Sequence, residues 1–286
     1  MKVTLNAPAK INLYLDVLAR RENGYHDIDS IMQTVELFDT VTVEKADEIS
    51  LSCSDADLPC DERNLCHKAA ARFFEAAGIS GGAKIYVEKR IPVSSGLAGG
   101  STDAAATLLA LNRIYGYPLS EAELYDLGKT LGADVPFCMK GGCVLCRGIG
   151  EDMTEIVCRA EYSIVIARAG EGVSTPAAYR ALDEKYGEGL AEPFGDINKV
   201  ICALAEGSAE MVAENMFNTF ESVVLEYHNE ARAAREFLIE NGALGAMMSG
   251  SGPAVFALFA SHQDAERAAS SLEKMGYKAF AVKPTE

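Results

Sequence analysis

The chain has 286 residues, 49% of them hydrophobic, and carries a formal charge of −16 from 26 basic and 42 acidic side chains. That length holds one large or two ordinary domains with a sizeable core. The acidic balance disfavours a grip on long nucleic acid, where neutralisation of phosphates by Lys and Arg dominates affinity, but it leaves room for a small phosphorylated ligand held by backbone dipoles.

In chain order, residues 3–6, 11–19, 30–38 and 40–44 are β-rich runs separated by turn residues. Residues 64–77 predict a helix with Leu65, Ala69, Phe73 and Ala76 on one face, closed by Gly78. A strand follows at 83–88. Residues 104–115 are apolar on nearly all sides, which predicts a largely buried helix stopped by Gly116-Tyr117-Pro118. Ser120 and Glu123 have the spacing of a capping box and open another helix, which Gly132-Ala133-Asp134-Val135-Pro136 ends. Cys143 and Cys146 then lie in a short β-like run. One such pair without a second at similar spacing reads as strand thiols rather than a zinc site.

Near residue 155 the character changes. A strand at 162–167 precedes a helix at 177–185, with Pro176 in its first turn and Thr175 or Ser174 as cap. Two or three helices run on through Glu240. Strands at 246–249 and 254–259 flank Gly250-Ser251-Gly252-Pro253, and a helix at 264–275 and a strand at 279–282 follow. The pattern predicts an α+β protein of two domains, 1–155 and 156–286. The N-terminus has no apolar core of signal-peptide length, and no run of about eighteen apolar residues suggests a membrane span. Eight cysteines without an export signal read as reduced thiols in a cytoplasmic protein.

The most informative segment is Pro92-Val93-Ser94-Ser95-Gly96-Leu97-Ala98-Gly99-Gly100-Ser101-Thr102-Asp103, which leads into the alanine- and leucine-rich helix. Glycines expose backbone N–H groups. The first turn of the helix behind them adds unpaired donors and a partial positive charge. Together these make an anion site suited to phosphate. The segment lacks the Gly-Lys-Ser/Thr ending of a P-loop. Taken alone it also fits a tight turn whose hydroxyls and Asp103 act as helix caps. Upstream, Lys10 and Asn12 sit two apart in an apolar β-run and so share a face. That face is either an ordinary exposed one or a cation poised over a cleft. Tyr25 and His26 follow Gly24 in a loop and offer a stacking ring and an imidazole.

Three motifs in order, Pro8-Ala9-Lys10-Ile11-Asn12-Leu13, the glycine loop at 92–102 and Ser249-Gly250-Ser251-Gly252-Pro253, resemble those of the GHMP kinases. Gly24-Tyr25-His26, Gly132-Ala133-Asp134-Val135-Pro136, Arg147-Gly148-Ile149-Gly150-Glu151 and the run from Ala178-Tyr179 to Asp183 bring the likeness closer to one branch. In that branch the substrate is a cytidine-diphosphate-linked methylerythritol. The resemblance spans about residues 2–260. Two departures are Ala98, where the family loop usually has glycine, and Thr102, often serine. Alanine is tolerated there if its φ is negative.

The resemblance implies a two-domain fold, with an N-terminal, ATP-binding domain like ribosomal protein S5 domain 2 and a ferredoxin-like C-terminal domain. It implies ATP-dependent phosphorylation of the substrate's 2-hydroxyl, a step of non-mevalonate isoprenoid synthesis, with Mg²⁺ as companion ion. Asp134 would be the base and Lys10 would hold it ionised and face the transferred phosphate. Pro92 through Thr102 would cradle the ATP phosphates, with Ser101 or Thr102 as ligand to the metal or to a phosphate oxygen. Asn64, Leu65 and Lys89 would line the adenine pocket. Tyr25 and Tyr179 would sandwich the cytosine while His26 reads its edge. Asn12, Thr175, Gly250, Ser251 and Gly252 would meet the rest of the substrate. The expected partner is this small molecule, with no nucleic acid or membrane, in a monomer or homodimer. Alternatives are another small-molecule kinase of the family, of homoserine or mevalonate type, and a non-catalytic ligand-binding regulator.

Overall fold

The four opening β-runs are two long strands. β1 spans Lys2–Arg20 and β2 spans His26–Ala46. Pro8 does not interrupt β1, because its fixed φ suits an extended chain and it forfeits only one ladder donor. Asp39, which reads as a turn residue, lies inside β2 with its side chain fully buried. The structure is a computed structural model describing residues 1–285. Its chain forms two compact units interleaved in sequence. The first takes Met1–Ala9, Leu37–Val93 and Ala98–Gly141; the second takes Lys10–Glu36, Ser94–Leu97 and the chain from Gly142 on. Composition suggests one division near residue 155. The units depart from it because β1 and β2 each contribute residues to both.

In the first unit, β3 (Ser50–Cys53) pairs in parallel with β4 (Gly82–Glu88), and β4 pairs antiparallel with β2 from Thr40↔Glu88 to Ala46↔Gly82. Between β3 and β4 lies α1 (Leu65–Ala77). Asn64 caps it through a bond accepted from Cys66 N, and Gly78 closes it at φ 62°. Its buried stripe is Cys66, Ala69, Ala70, Phe73 and Phe74, so the core face is turned one residue from the one expected, and Ala76 is exposed. α2 (Gly99–Ile114) starts five residues earlier than its apolar run suggests, directly out of the glycine loop, and is buried on nearly all sides. The capping box of Ser120 and Glu123 opens α3 (Glu121–Leu131). A short helix, α4 (Val135–Lys140), is absent from the sequence reading. Pro136 there starts a helix, since a residue without an N–H is well placed in a first turn.

The second unit begins with a hairpin of β5 (Cys143–Arg147) and β6 (Asp152–Glu155), β5 also pairing with β2 at Ser30–Gln33. Next come β7 (Ser163–Arg168), α5 (Thr175–Tyr186) and a 3-10 turn at Gly187–Ala191. They are followed by α6 (Ile197–Glu206), α7 (Ala209–Asn215), β8 (Phe217–Asn218), α8 (Glu221–Val224) and α9 (Asn229–Glu240). Where two or three helices are expected before residue 240, four are present, two of them under eight residues and too short to show a period. The chain ends with β9 (Gly245–Met248), β10 (Val255–Phe259), α10 (His262–Lys274) and β11 (Lys278–Val282). The four-stranded sheet has the order β11-β7-β10-β9, antiparallel throughout. α9 and α10 close its core over Val165, Val255, Phe259, Leu238 and Leu272. This order is that of the ferredoxin-like arrangement.

Candidate active site

Three distant stretches of the second unit meet through their backbones. Lys10 N donates to Leu97 O at 3.1 Å, Ala254 N donates to Ser95 O at 3.1 Å, and Ser249 Oγ donates to Gly96 O at 3.1 Å. Gly96 sits at φ +81°, and a Cβ there would lie 2.1 Å from the Ser249 carbonyl oxygen. A Cβ on Gly250 would lie 3.3 Å from Lys10 Nζ. The ammonium is thus seated where the two glycine-rich turns touch. Lys10 is 4% exposed and Asn12 1% exposed, which removes the ordinary solvent-facing reading of that strand face. Lys10 Nζ donates to Asn12 Oδ1 at 2.6 Å, Asn12 Nδ2 to Ser30 Oγ at 2.9 Å, and Ser30 Oγ to Tyr14 O at 2.8 Å. The Thr175 and Ser251 hydroxyls are 2.8 Å apart, which brings the start of α5 to the same turn. A cation beside two turns that only glycine can form is suited to phosphate oxygens.

Nearby in the same unit, His26 opens β2 with its ring nearly buried. Its Nε2 lies 2.7 Å from Asp183 Oδ1, and its ring stacks on Tyr179 with centroids 4.9 Å apart and planes 17° from parallel. Tyr179 also meets Phe220 edge-on at 4.9 Å. Tyr25 is exposed. The ring that faces Tyr179 is therefore the imidazole.

In the first unit the glycine loop ends in α2. Ala98, the residue before it, adopts φ +58°, so the negative φ that would make alanine easy is not met. That left-handed conformation costs an L-residue roughly 1–2 kcal/mol. Thr102 Oγ1 and Asp103 Oδ1, in the first turn, are buried without a hydrogen-bond partner. Lys89 Nζ donates to Asp103 Oδ2 at 2.7 Å and to Asp39 Oδ2, while Asp39 Oδ1 accepts from Arg90 N and from Ile91 N at 2.9 Å. Burial, with Asp39 close by, pushes the Asp103 carboxyl up to about 7 against the pull of Lys89. Burial alone would lower Lys89, but the two carboxylates outweigh it and hold its ammonium above the usual value.

Lys89 and Leu65 flank the loop, 3.3 Å and 3.6 Å from where Cβ atoms on Gly99 and Gly100 would stand. Asn64 is occupied as the cap of α1, and its Nδ2 donates to Pro59 O at 2.8 Å. Asp134 precedes α4 and makes no side-chain cap bond to it. Gly132, two residues before, reaches within 4.0 Å of Ser101 Oγ by the position of its would-be Cβ.

The family description "GHMP kinases N terminal domain" matches residues 64–142, and "GHMP kinases C terminal" matches residues 200–278. The chain belongs to the GHMP kinases. It is 44% identical over 271 residues to a 4-diphosphocytidyl-2-C-methyl-D-erythritol kinase of Caldicellulosiruptor saccharolyticus, covering 94% of this chain and 92% of that one. A relative of the same name from Clostridium botulinum is 43% identical over 277 residues, 96% of each chain. A crystal structure of 4-(cytidine 5'-diphospho)-2C-methyl-D-erythritol kinase superposes with a TM-score of 0.84 at 34% identity, covering 99% of this chain and 100% of that one. A homoserine kinase from Cytophaga hutchinsonii shares the fold, with a TM-score of 0.76 at 21% identity over 99% and 94% of the two chains. This protein accordingly has the two-domain fold of GHMP kinases.

The sequence reading missed Asp39 and Asn218, and it gave Asp183, at the end of the run from Ala178, no role of its own. Asn218 Nδ2 donates to Met248 O at 2.7 Å and to Gly250 O at 2.9 Å, pinning the turn from below. Its signal was a polar Asn218-Thr219 pair between two phenylalanines. Asp39 had a comparable signal, a carboxylate between two β-runs.

Two predictions follow from this geometry. Gly96→Ala should destabilise the protein well beyond Gly78→Ala, which has a similar positive φ but an open surround. Chemical denaturation of both variants checks this; equal losses would mean the close approach is relaxed in solution. Asp103 has a folded-state pKa above its unfolded one, near ~4, so the folded chain binds more protons between those values. The stabilisation is complete below about pH 4 and is lost as pH rises through about 7. Melting temperatures of the wild type should therefore fall relative to Asp103→Asn between about pH 4 and 7. A constant offset across that range would show that Asp103 does not titrate there.

Proposed function

We propose that this chain transfers the γ-phosphoryl group of ATP to the 2-hydroxyl of 4-diphosphocytidyl-2-C-methyl-D-erythritol, a step of non-mevalonate isoprenoid precursor synthesis. Relatives of that name, alike over more than nine-tenths of the chain, support the substrate. The observation that carries the chemistry is the buried Lys10 ammonium beside the contact of two glycine turns. A homoserine or mevalonate kinase needs no base-reading pair, and the stacking of His26 on Tyr179 here suits one. A regulator without activity would not need both Lys10 and Asp134.

The substrate oxygen attacks the γ-phosphorus, the bond to the β,γ-bridging oxygen breaks, and Asp134 takes the hydroxyl proton. Lys10 stabilises charge on the transferred group, since such reactions depend on positioning and electrostatics. Backbone N–H groups of the loop at 95–101 hold the ATP phosphates, next to Leu65 and Lys89 on the adenine side. The orphaned oxygens of Thr102 and Asp103, with the Ser101 hydroxyl, are hard donors suited to Mg²⁺. Bound there, that ion would neutralise phosphate charge. His26 reads the base, covered by Tyr25, and Asn12, Thr175 and the turn at 250–252 meet the polyol and its phosphates. Among the described residues no helix is long and apolar enough to cross a membrane, and all eight cysteines are unpaired. These features suit a cytoplasmic enzyme acting as a monomer or homodimer on a small molecule.

Asp134→Asn should lower kcat by about 10²–10⁴-fold while leaving binding of an ATP analogue, measured by calorimetry, within a few fold. Undiminished turnover removes Asp134 from the proton transfer. Assays on methylerythritol phosphate with and without the cytidine group test the substrate; equal kcat/KM for the two would sink the base-reading assignment.

A further inference from the structure

Asp183 ends the run that begins at Ala178-Tyr179, where the sequence gives it no role of its own, and it is the hydrogen-bond partner of the His26 ring. It stands four residues after Tyr179 on α5, so both project from one face of the helix. The face of His26 lies on Tyr179 and its Nε2 lies on Asp183 Oδ1. Oδ2 of the same carboxylate is 3.7 Å from Arg20 Nη1. A carboxylate only accepts, so the Nε2 it faces must carry the proton. In the neutral imidazole the other nitrogen, Nδ1, is then an acceptor. Nδ1 takes no partner among the described residues.

We infer that Asp183 is a specificity-determining residue: by holding the Nε2–H of His26 it leaves Nδ1 as an acceptor, matched to the exocyclic amino group of cytosine and mismatched to the carbonyl of uracil. The inference rests on the proposed function, in which His26 reads the base. Cytosine and uracil have the same shape, and a hydrophobic stack alone separates them poorly. A buried acceptor facing a second acceptor leaves both unpaired, and that mismatch is where discrimination arises. Asp183 does not touch the reacting atoms; it acts through the imidazole.

The test separates this role from simple anchoring of α5. With a non-hydrolysable ATP analogue saturating its own site, binding of CDP and of UDP is measured for the wild type, Asp183→Asn and Asp183→Glu. The amide of Asn can either accept or donate, so it no longer dictates the tautomer. The preference for CDP over UDP should drop at least tenfold in Asp183→Asn, through weaker CDP binding, and return in large part in Asp183→Glu. Nitrogen-15 spectra of the imidazoles, of which the chain has four, should show His26 protonated on Nε2 in the wild type and mixed in Asp183→Asn.

A wild-type ring protonated on Nδ1 overturns the inference, whether or not the variants fold. So does an unchanged CDP preference in Asp183→Asn, and so does a parallel loss for CDP, UDP and the ATP analogue, which marks a structural role. Because base binding is read without turnover, a wild type that prefers CDP but fails to phosphorylate the methylerythritol substrate refutes the kinase reading and leaves the role of Asp183 standing.

Discussion

The backbone contact between Gly96 and Ser249 is the constraint on which the second unit's site depends. At that point the chain at 94–97 and the turn after β9 approach so closely that any side chain on Gly96 would overlap a carbonyl oxygen. The contact brings Lys10 into place as well, since its N–H bonds to Leu97 and its Nζ ends beside Gly250. Three stretches separated by more than eighty residues are fixed by main-chain groups, which have fewer ways to relax than side chains do. Asn218 adds a side-chain strut, and the paired hydroxyls of Thr175 and Ser251 tie α5 to the same turn. A cation placed by backbone geometry is preorganised, so little rearrangement is required when charge develops next to it.

The two buried lysines solve different problems. With a net charge of −16, the protein as a whole repels anions, and attraction must be local. In the proposed reading Lys10 supplies it, beside turns whose glycines expose main-chain dipoles. Lys89 is set between Asp39 and Asp103, so its charge is matched on the spot. Its effect is placement. Asp39 reaches from β2 to the N–H groups of Arg90 and Ile91, and Asp103 reaches from α2, so one ammonium joins a strand, the chain after β4 and a helix start. Breaking such a buried cluster from one side leaves an uncompensated charge, which is far more costly than the intact cluster is stabilising. Burial, with Asp39 close by, keeps a proton on Asp103 to an unusually high pH.

What the sequence disclosed depended on whether the chemistry was local. The capping box at Ser120 and the Gly78 stop were legible because each interaction lies within four residues. The glycine loop and the turn at 249–253 were legible because their composition has few other uses. The pairing of Lys10 with Asn12 followed from strand period alone, and the structure adds that both are buried. Less visible were choices made across the chain. Nothing in the neighbourhood of Asp39 or Asp183 announces a lysine fifty residues later or a histidine 157 residues earlier. Elements at the edge of periodicity also failed: α4 has six residues and α8 four, too few to show a helical repeat. The interleaving of the two units escaped because strands as long as β1 and β2 carry no composition shift where they pass from one unit to the other.

α5 illustrates how a regular element turns such long-range choices into geometry. A helix repeats every 3.6 residues, so Tyr179 and Asp183 necessarily point the same way. The imidazole of His26 therefore meets an aromatic face and a carboxylate from one rigid source, with Phe220 supporting the tyrosine from its edge. Stacking restrains the ring against tilting, and the carboxylate restrains it against flipping about its long axis. Either contact alone would leave one of those motions open. Two anchors on separate loops would each need their own support, whereas Leu182 and Ala178, buried on the same helix, fix both at once. Burying an aromatic and an ionisable ring together is unfavourable unless the polar atoms find partners. The Asp183 contact meets that requirement on one nitrogen, and the requirement passes to whatever lies against the other.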